Sequence, residues 1–227
     1  MLCHPLNCSI ATSIDSALPI TYNHYINEKE LSTVQKRLFL TGPSGVGKTW
    51  ILRQQLKEQL ASAGGFVTER IADRKGAVLG FELLPAAAAA GIEGFSGQRF
   101  LDCSVSPPRS DNEVFRSFGV QLLEEAAYYP FAVLDEIGGY ELLIPQFRNA
   151  LAELLNSDTP CIGVLKSPAN ARQLKRRFGF GSKFTAHTRQ LHRALKADPD
   201  TLIIKVKKAG DKRAMDAVMR WAEEYCN

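Results

Sequence analysis

Two groups of residues in this chain have the types and spacing that phosphate chemistry requires. The first is Gly42-Pro43-Ser44-Gly45-Val46-Gly47-Lys48-Thr49, the pattern G-x-x-x-x-G-K-[ST], entered from the apolar Leu38-Phe39-Leu40 and left through the helical run Trp50 to Leu60. In such a loop the glycines let successive backbone N–H groups turn inward around a β-phosphate. Lys48 then reaches the β- and γ-phosphates and the Thr49 hydroxyl ligates Mg²⁺. A helix that starts there adds the positive end of its dipole. The second group is Asp135-Glu136, at the end of the continuously apolar Phe131-Ala132-Val133-Leu134. A dry strand rarely ends in two carboxylates without a cation partner. Asp135 is the candidate to hold Mg²⁺ through its water shell beside Thr49. Glu136 projects differently and is the candidate general base, orienting water toward a γ-phosphorus. The expected ligand is a nucleoside triphosphate such as ATP or GTP.

Other polar groups are read with alternatives open. From Thr159 to Lys196 the chain carries Lys166, Arg172, Lys175, Arg176, Arg177, Lys183, Arg189, Arg193 and Lys196 and no Asp or Glu. Such a run is a solvated helix face in the plain reading. In a sharper one it brings one of these arginines to the transferred phosphoryl group. A nucleic-acid backbone patch is a third reading, not favoured because only Phe178 and Phe180 are interleaved as aromatics. Thr68-Glu69-Arg70 follows a strand, so Glu69 or Arg70 either faces the γ-phosphate side or forms a surface salt bridge. Cys3, His4 and Cys8 are soft ligands lacking a fourth, and His187 and His192 are expected to be solvated.

These side chains need a scaffold, and the pattern supplies one. Residues 1–34 lack periodicity and read as an N-terminal extension, and 35–227 read as a single domain. Leu52, Leu56 and Leu60 place a helix that should stop at Gly64-Gly65. Phe66 to Thr68 and Ala77 to Leu83 flank a charged turn and predict a β-hairpin. The alanines 86–90 predict a loop or one helical turn. Ser110-Asp111 predicts an N-cap for a helix ending at Tyr129-Pro130. Gly138-Gly139 should open a helix carrying Leu142 to Leu155. Then come a strand over Cys161–Leu165, a helix over Ser167–Arg177, a strand near Phe184, a short helix from Thr188, a strand over Leu202–Val206 and a C-terminal helix. The alternation predicts an α/β, three-layer, doubly wound and mainly parallel sheet with a β-hairpin insertion.

The strings GPSGVGKT, GFVTER (Gly65 to Arg70), GFEL (Gly80 to Leu83) and VLDEIGGYEL (Val133 to Leu142) together resemble, in order and spacing, the small cancer-related nucleoside-triphosphatase family also known from thermophilic microbes. The resemblance spans about Arg37 to Val206. It implies a phosphate-loop fold related to AAA-type ATPases, and Mg²⁺-dependent hydrolysis of nucleoside triphosphates to diphosphate and phosphate with broad base tolerance. It singles out Arg189, at the family-like position, with Arg172 next, as the catalytic arginine beside Lys48 and Glu136. The chain departs from that pattern where relatives have Lys-Met and it has Gly139-Tyr140, and where they have Gly-Thr and it has Gly163-Val164. It also has His187 and Thr188 between Thr185 and Arg189.

Composition narrows the classes further. The 227 residues are 45% hydrophobic and 23% charged with a net charge of +4, which is ordinary for a globular domain. No apolar run approaches a membrane span. Five scattered cysteines fit a reducing compartment rather than a disulfide scaffold. With no basic n-region leading into an apolar stretch, a cytoplasmic protein is expected. Two alternatives to hydrolysis remain open: a nucleotide or small-molecule kinase, and a nucleotide-gated switch that docks a protein or nucleic acid through residues 159–196. Oligomeric state is not legible.

Overall fold

In the computed structural model, residues 34–92, 94–178 and 181–226 are described. The Cys3-His4-Cys8 group and almost all of the N-terminal extension lie outside them. One sheet of eight strands runs in the order β5-β4-β3-β2-β6-β7-β1-β8. The strands are β1 (Arg37–Thr41), β2 (Ala63–Ala72), β3 (Val78–Pro85), β4 (Gln98–Asp102), β5 (Arg109–Ser110), β6 (Phe131–Ile137), β7 (Cys161–Leu165) and β8 (Thr201–Lys205). The half that holds the phosphate loop is parallel, with β1 paired to β7 and β8, and β6 paired to β7 and β2. The other half is antiparallel.

Strand periodicity divides the core into two layers. Leu38, Leu40, Phe131 and Val133 point to one face, where they meet Ile51 and Leu52 of α1 (Lys48–Gln55) and Val218 and Trp221 of α7 (Lys212–Tyr225). Phe39, Ala132 and Leu134 point to the other. There they pack against Leu123 of α3 (Val120–Glu125), which continues α2 (Asn112–Val114) through a π-helical segment, and against Phe147 and Leu151 of α4 (Pro145–Asn156). The three-layer α/β expectation holds. As expected, Asp111 caps the helical stretch at 112, its carboxylate accepting from Glu113 N–H at 2.9 Å.

Several local expectations are corrected. The helix after the phosphate loop ends at Gln55, a short 3-10 turn follows, and Gly64-Gly65 lie inside β2. Glycine is needed there for packing: Gly65 has φ 82°, and a Cβ on it would stand 2.3 Å from the Val133 carbonyl oxygen of β6. The predicted hairpin exists as β2 and β3, but it extends the main sheet and carries β4 and β5 beyond it. The alanine tract is a 3-10 turn, as expected. The helix expected from Gly138-Gly139 is split into a 3-10 turn (Tyr140–Leu143) and α4, which starts at Pro145, where a missing N–H costs nothing. The strand near Phe184 and the short helix from Thr188 are in fact one helix, α6 (Ser182–Ala197), which follows α5 (Pro168–Phe178). Phe184, Thr188, His192 and Leu195 are its buried side. Among the described residues no helix is long and apolar enough to cross a membrane.

Candidate active site

Because β1 is parallel to its neighbours, the loop that leaves it and the carboxylates that end β6 come to the same edge of the sheet, the edge where open α/β sheets bind ligands. The turn from Gly42 to Gly47 is built on positive φ at Gly42, Gly45 and Gly47. Gly47 precedes α1 in the left-handed region, so Lys48 and Thr49 form its first turn. The Thr49 hydroxyl donates to Asp135 Oδ1 at 2.9 Å. Lys48 is buried, and its ammonium donates to the carbonyls of Pro43 at 2.7 Å and Gly42 at 3.4 Å, inside the loop it would share with a phosphate. Burial lowers its pKa against the opposing pull of Glu136.

Asp135 keeps strand alternation, on the α1 face with Phe131 and Val133, and Glu136 breaks it. Leu134 pairs with Gly163 and Ile137 with Leu165, so β6 spends three steps where β7 spends two. That extra residue is a bulge, a device found beside active sites. Within it Glu136 has φ 67°, the only non-glycine residue with positive φ among those described. Asp135 lies under α1, 1% exposed, while Glu136 turns toward β7. Burial, and then the Glu136 charge, push the Asp135 carboxyl up to about 6, with Thr49 opposing. Its Oδ2 has no hydrogen-bond partner. A buried carboxylate oxygen left open beside a hydroxyl is the donor set a hard divalent cation takes, so Thr49 and Asp135 fit Mg²⁺.

Glu136 has a partner that the sequence did not assign. Lys166, at the end of β7, places its ammonium 2.8 Å from Glu136 Oε2 and 2.5 Å from the Glu136 carbonyl oxygen. Lys166 holds the Glu136 carboxyl below its usual range, against burial. Burial works against the Lys166 charge too, but Glu136, Glu141 and Asp135 outweigh it and the pKa is raised. Gly139 makes room for this lysine: a Cβ there would sit 3.2 Å from Lys166 Cδ and Cε and 2.5 Å from Glu141 Oε2. Glu141 is buried and accepts the N–H groups of Gly138 and Gly139 at 2.7 and 2.6 Å, which pins the turn after the bulge. The signal for Lys166 was a charged residue ending a dry parallel strand next to β6.

Two further elements close on the site. Asn170 of α5 donates to the Gly42 carbonyl at 3.2 Å, and Thr188 of α6 donates to the Gly138 carbonyl at 3.3 Å. His192, expected to be solvated, is buried with Nε2 2.8 Å from the Lys166 carbonyl; burial lowers its pKa, and the neutral ring donates there. Arg189 is not in this network. It is exposed on α6 and, with Arg172, Lys175 and Arg176, lines a cleft of about 530 Å³ between α5 and α6. Glu69 takes its salt-bridge alternative, 2.9 Å from Arg53 of α1.

Parallel strands with a glycine-rich loop leading from β1 into α1, and an acidic pair near the end of β6, define a P-loop NTPase. Residues 37–206 match the family model described as NTPase, and the chain belongs to that family. It is similar to the nucleoside-triphosphatase THEP1 of Thermotoga sp. (strain RQ2), 29% identical over 140 residues that cover 59% of this chain and 76% of that protein. It is also similar to the cancer-related nucleoside-triphosphatase homolog of Bos taurus, 30% identical over 149 residues covering 59% and 76%. The crystal structure of THEP1 from Aquifex aeolicus shares the fold with a TM-score of 0.52 at 17% identity, over 81% of this chain and 97% of that one.

Proposed function

We propose that this chain is a Mg²⁺-dependent nucleoside triphosphatase in which water attacks the γ-phosphorus of ATP, GTP and other triphosphates and displaces the diphosphate, giving diphosphate and phosphate. The observation that carries the reading is the Thr49 to Asp135 bond beside the unpartnered Asp135 Oδ2, with Glu136 next in the bulge. Lys48 exchanges the loop carbonyls for phosphate oxygens, and the amides of Gly45 to Thr49 surround the β-phosphate. Thr49 and Asp135 would hold Mg²⁺, which would supply positive charge against that of the phosphates. Glu136 accepts the proton of the attacking water. For that its carboxylate must leave Lys166, whose ammonium is then available to the incoming phosphate. Arg189 is the arginine we assign to the transferred phosphoryl group, from the cleft it lines with Arg172. The adjacent Glu136 favours water over an organic acceptor, so hydrolysis is preferred to phosphoryl transfer onto a second substrate.

The test is Glu136→Gln. Removing a general base should slow phosphate release by about 100-fold or more while a triphosphate still binds; wild-type turnover in this variant would remove Glu136 from the mechanism. Lys48→Ala should lose binding itself. A panel of ATP, GTP, CTP and UTP, read by phosphate release, then tests the breadth.

A further inference from the structure

The phosphate grip says nothing about where the nucleoside lies, and one aromatic side chain outside the catalytic group bears on that. Trp50 follows Thr49 in the first turn of α1 and is 50% exposed, whereas Trp221, the other tryptophan, is 1% exposed in the core. Around α1, Lys48, Ile51 and Leu52 face the protein, and Thr49 and Arg53 face Asp135 and Glu69. Trp50 occupies the outward face. Helical side chains lean toward the N-terminus, which directs the indole toward the mouth of the phosphate loop.

Strand order fixes the direction in which a bound triphosphate runs. β6, which carries Asp135 and Glu136, lies two strands from β1 on one side, and β8 flanks β1 on the other. With the γ-phosphate at Asp135 and the β-phosphate in the loop, the α-phosphate and nucleoside leave on the side away from β6. That exit passes the start of α1. On the same side the turn that follows β8 closes against the loop, with Ala209 Cα 3.8 Å from where a Cβ on Gly47 would be. That turn is held by the Lys207 N–H donating to Asp211 Oδ2 at 3.1 Å, and Lys207 and Lys208 are exposed on it.

We propose that Trp50 is the platform on which the substrate's nucleobase stacks, the exposed turn from Lys207 to Gly210 flanking it. Stacking on an indole is available to every base, because each has a π-face, so a platform of this kind holds a nucleoside without choosing among bases. Choosing would take buried donors and acceptors matched to one base edge. Trp50 thus separates two grips: the loop holds the polyphosphate and the indole holds the base. The inference rests on the phosphate-loop reading of the site.

The two can fail separately in one titration. ADP, GDP, CDP and UDP, each with Mg²⁺, and inorganic tripolyphosphate are titrated into the wild-type protein, Trp50→Ala and Trp50→Phe, with affinity read by calorimetry and tryptophan emission recorded alongside. The wild type should show emission quenched by all four nucleotides and unchanged by tripolyphosphate. Trp50→Ala should bind every nucleotide about 5- to 50-fold more weakly and tripolyphosphate as the wild type does, and Trp50→Phe should recover most of the loss. Unchanged nucleotide affinity in Trp50→Ala, or an equal loss for tripolyphosphate, overturns the platform and leaves the phosphate site standing. Failure of the wild type to bind tripolyphosphate or any nucleotide overturns the phosphate-loop reading, and the platform with it.

Discussion

Lys166 grips Glu136 twice, through the carboxylate at 2.8 Å and through that residue's own carbonyl oxygen at 2.5 Å. One cation therefore fixes both the backbone of the β6 bulge and the side chain it displays. Lys166→Met strips the counter-charge from Glu136, Glu141 and Asp135 together. Breaking a buried pair costs about 3–5 kcal/mol, and with the Glu136 side chain about a third open to solvent we expect nearer 2 kcal/mol. In Lys166→Met/Glu136→Gln the stranded charge is gone, so urea denaturation should show the double variant well short of the sum of the two singles. Simple additivity would mean that the pair does not couple.

Asp135 makes stability depend on pH with an unusual sign for a carboxylate. Its folded pKa of about 6 lies above the ordinary value of 3.8. The folded state therefore favours the proton, and this group's contribution is full below about pH 4 and lost as pH rises through 6. Relative to Asp135→Asn, which does not titrate, the metal-free wild type should lose on the order of 2–3 kcal/mol between pH 4 and pH 7. Mg²⁺ needs the carboxylate, so its stabilisation of the wild type should grow over the same interval. Melting temperatures of the two proteins across that range, with and without Mg²⁺, check both signs; a constant difference would show that Asp135 is not perturbed.

Gly65→Ala asks for a Cβ 2.3 Å from the Val133 oxygen at a φ of 82°. Because the obstacle is sheet backbone, we expect a cost of about 3 kcal/mol or more. Gly181→Ala, with nothing within 4 Å of the new Cβ, serves as the control and should stay within about 0.5 kcal/mol. Comparable melting temperatures for the two would contradict the close approach of β2 and β6.

Arg189→Ala separates an arginine that meets the transition state from one that is only solvated. In the first case kcat falls by about 100-fold or more while diphosphate affinity is unchanged. Arg193→Ala, exposed on the same helix, should be silent. Equal, small effects from both would return Arg189 to the solvated face of α6.

The phosphate loop and the acidic pair were legible because each is a local pattern, with a chemistry that follows from consecutive residues. Their approach was legible at one remove, since apolar β1 and β6 had to lie in one parallel sheet. What escaped depends on neighbours distant in sequence. The bulge at Glu136 arises from the register of β6 against β7, and Lys166 acquires meaning only when those strands pair. Gly64-Gly65 carried a helix-stop signal, yet Val133 gave them a different use. Around Phe184 the β-prone Phe and Thr hid the spacing Phe184, Thr188, His192, Leu195, which is a helical stripe buried by the fold. β5 is a two-residue exposed edge strand and β4 beside it buries only Phe100, so no alternation marked them.

The bond between Thr49 and Asp135 joins residues 86 positions apart, and Asn170 reaches Gly42 across 128. No contiguous fragment of the chain shorter than these spans holds the site, and the parallel pairing that builds it is of the kind that forms slowly, because long loops must close first. Competence to bind nucleotide is therefore a report on completed folding. A nucleotide titrated into refolding protein should count finished molecules, and by mass action it should hold them finished.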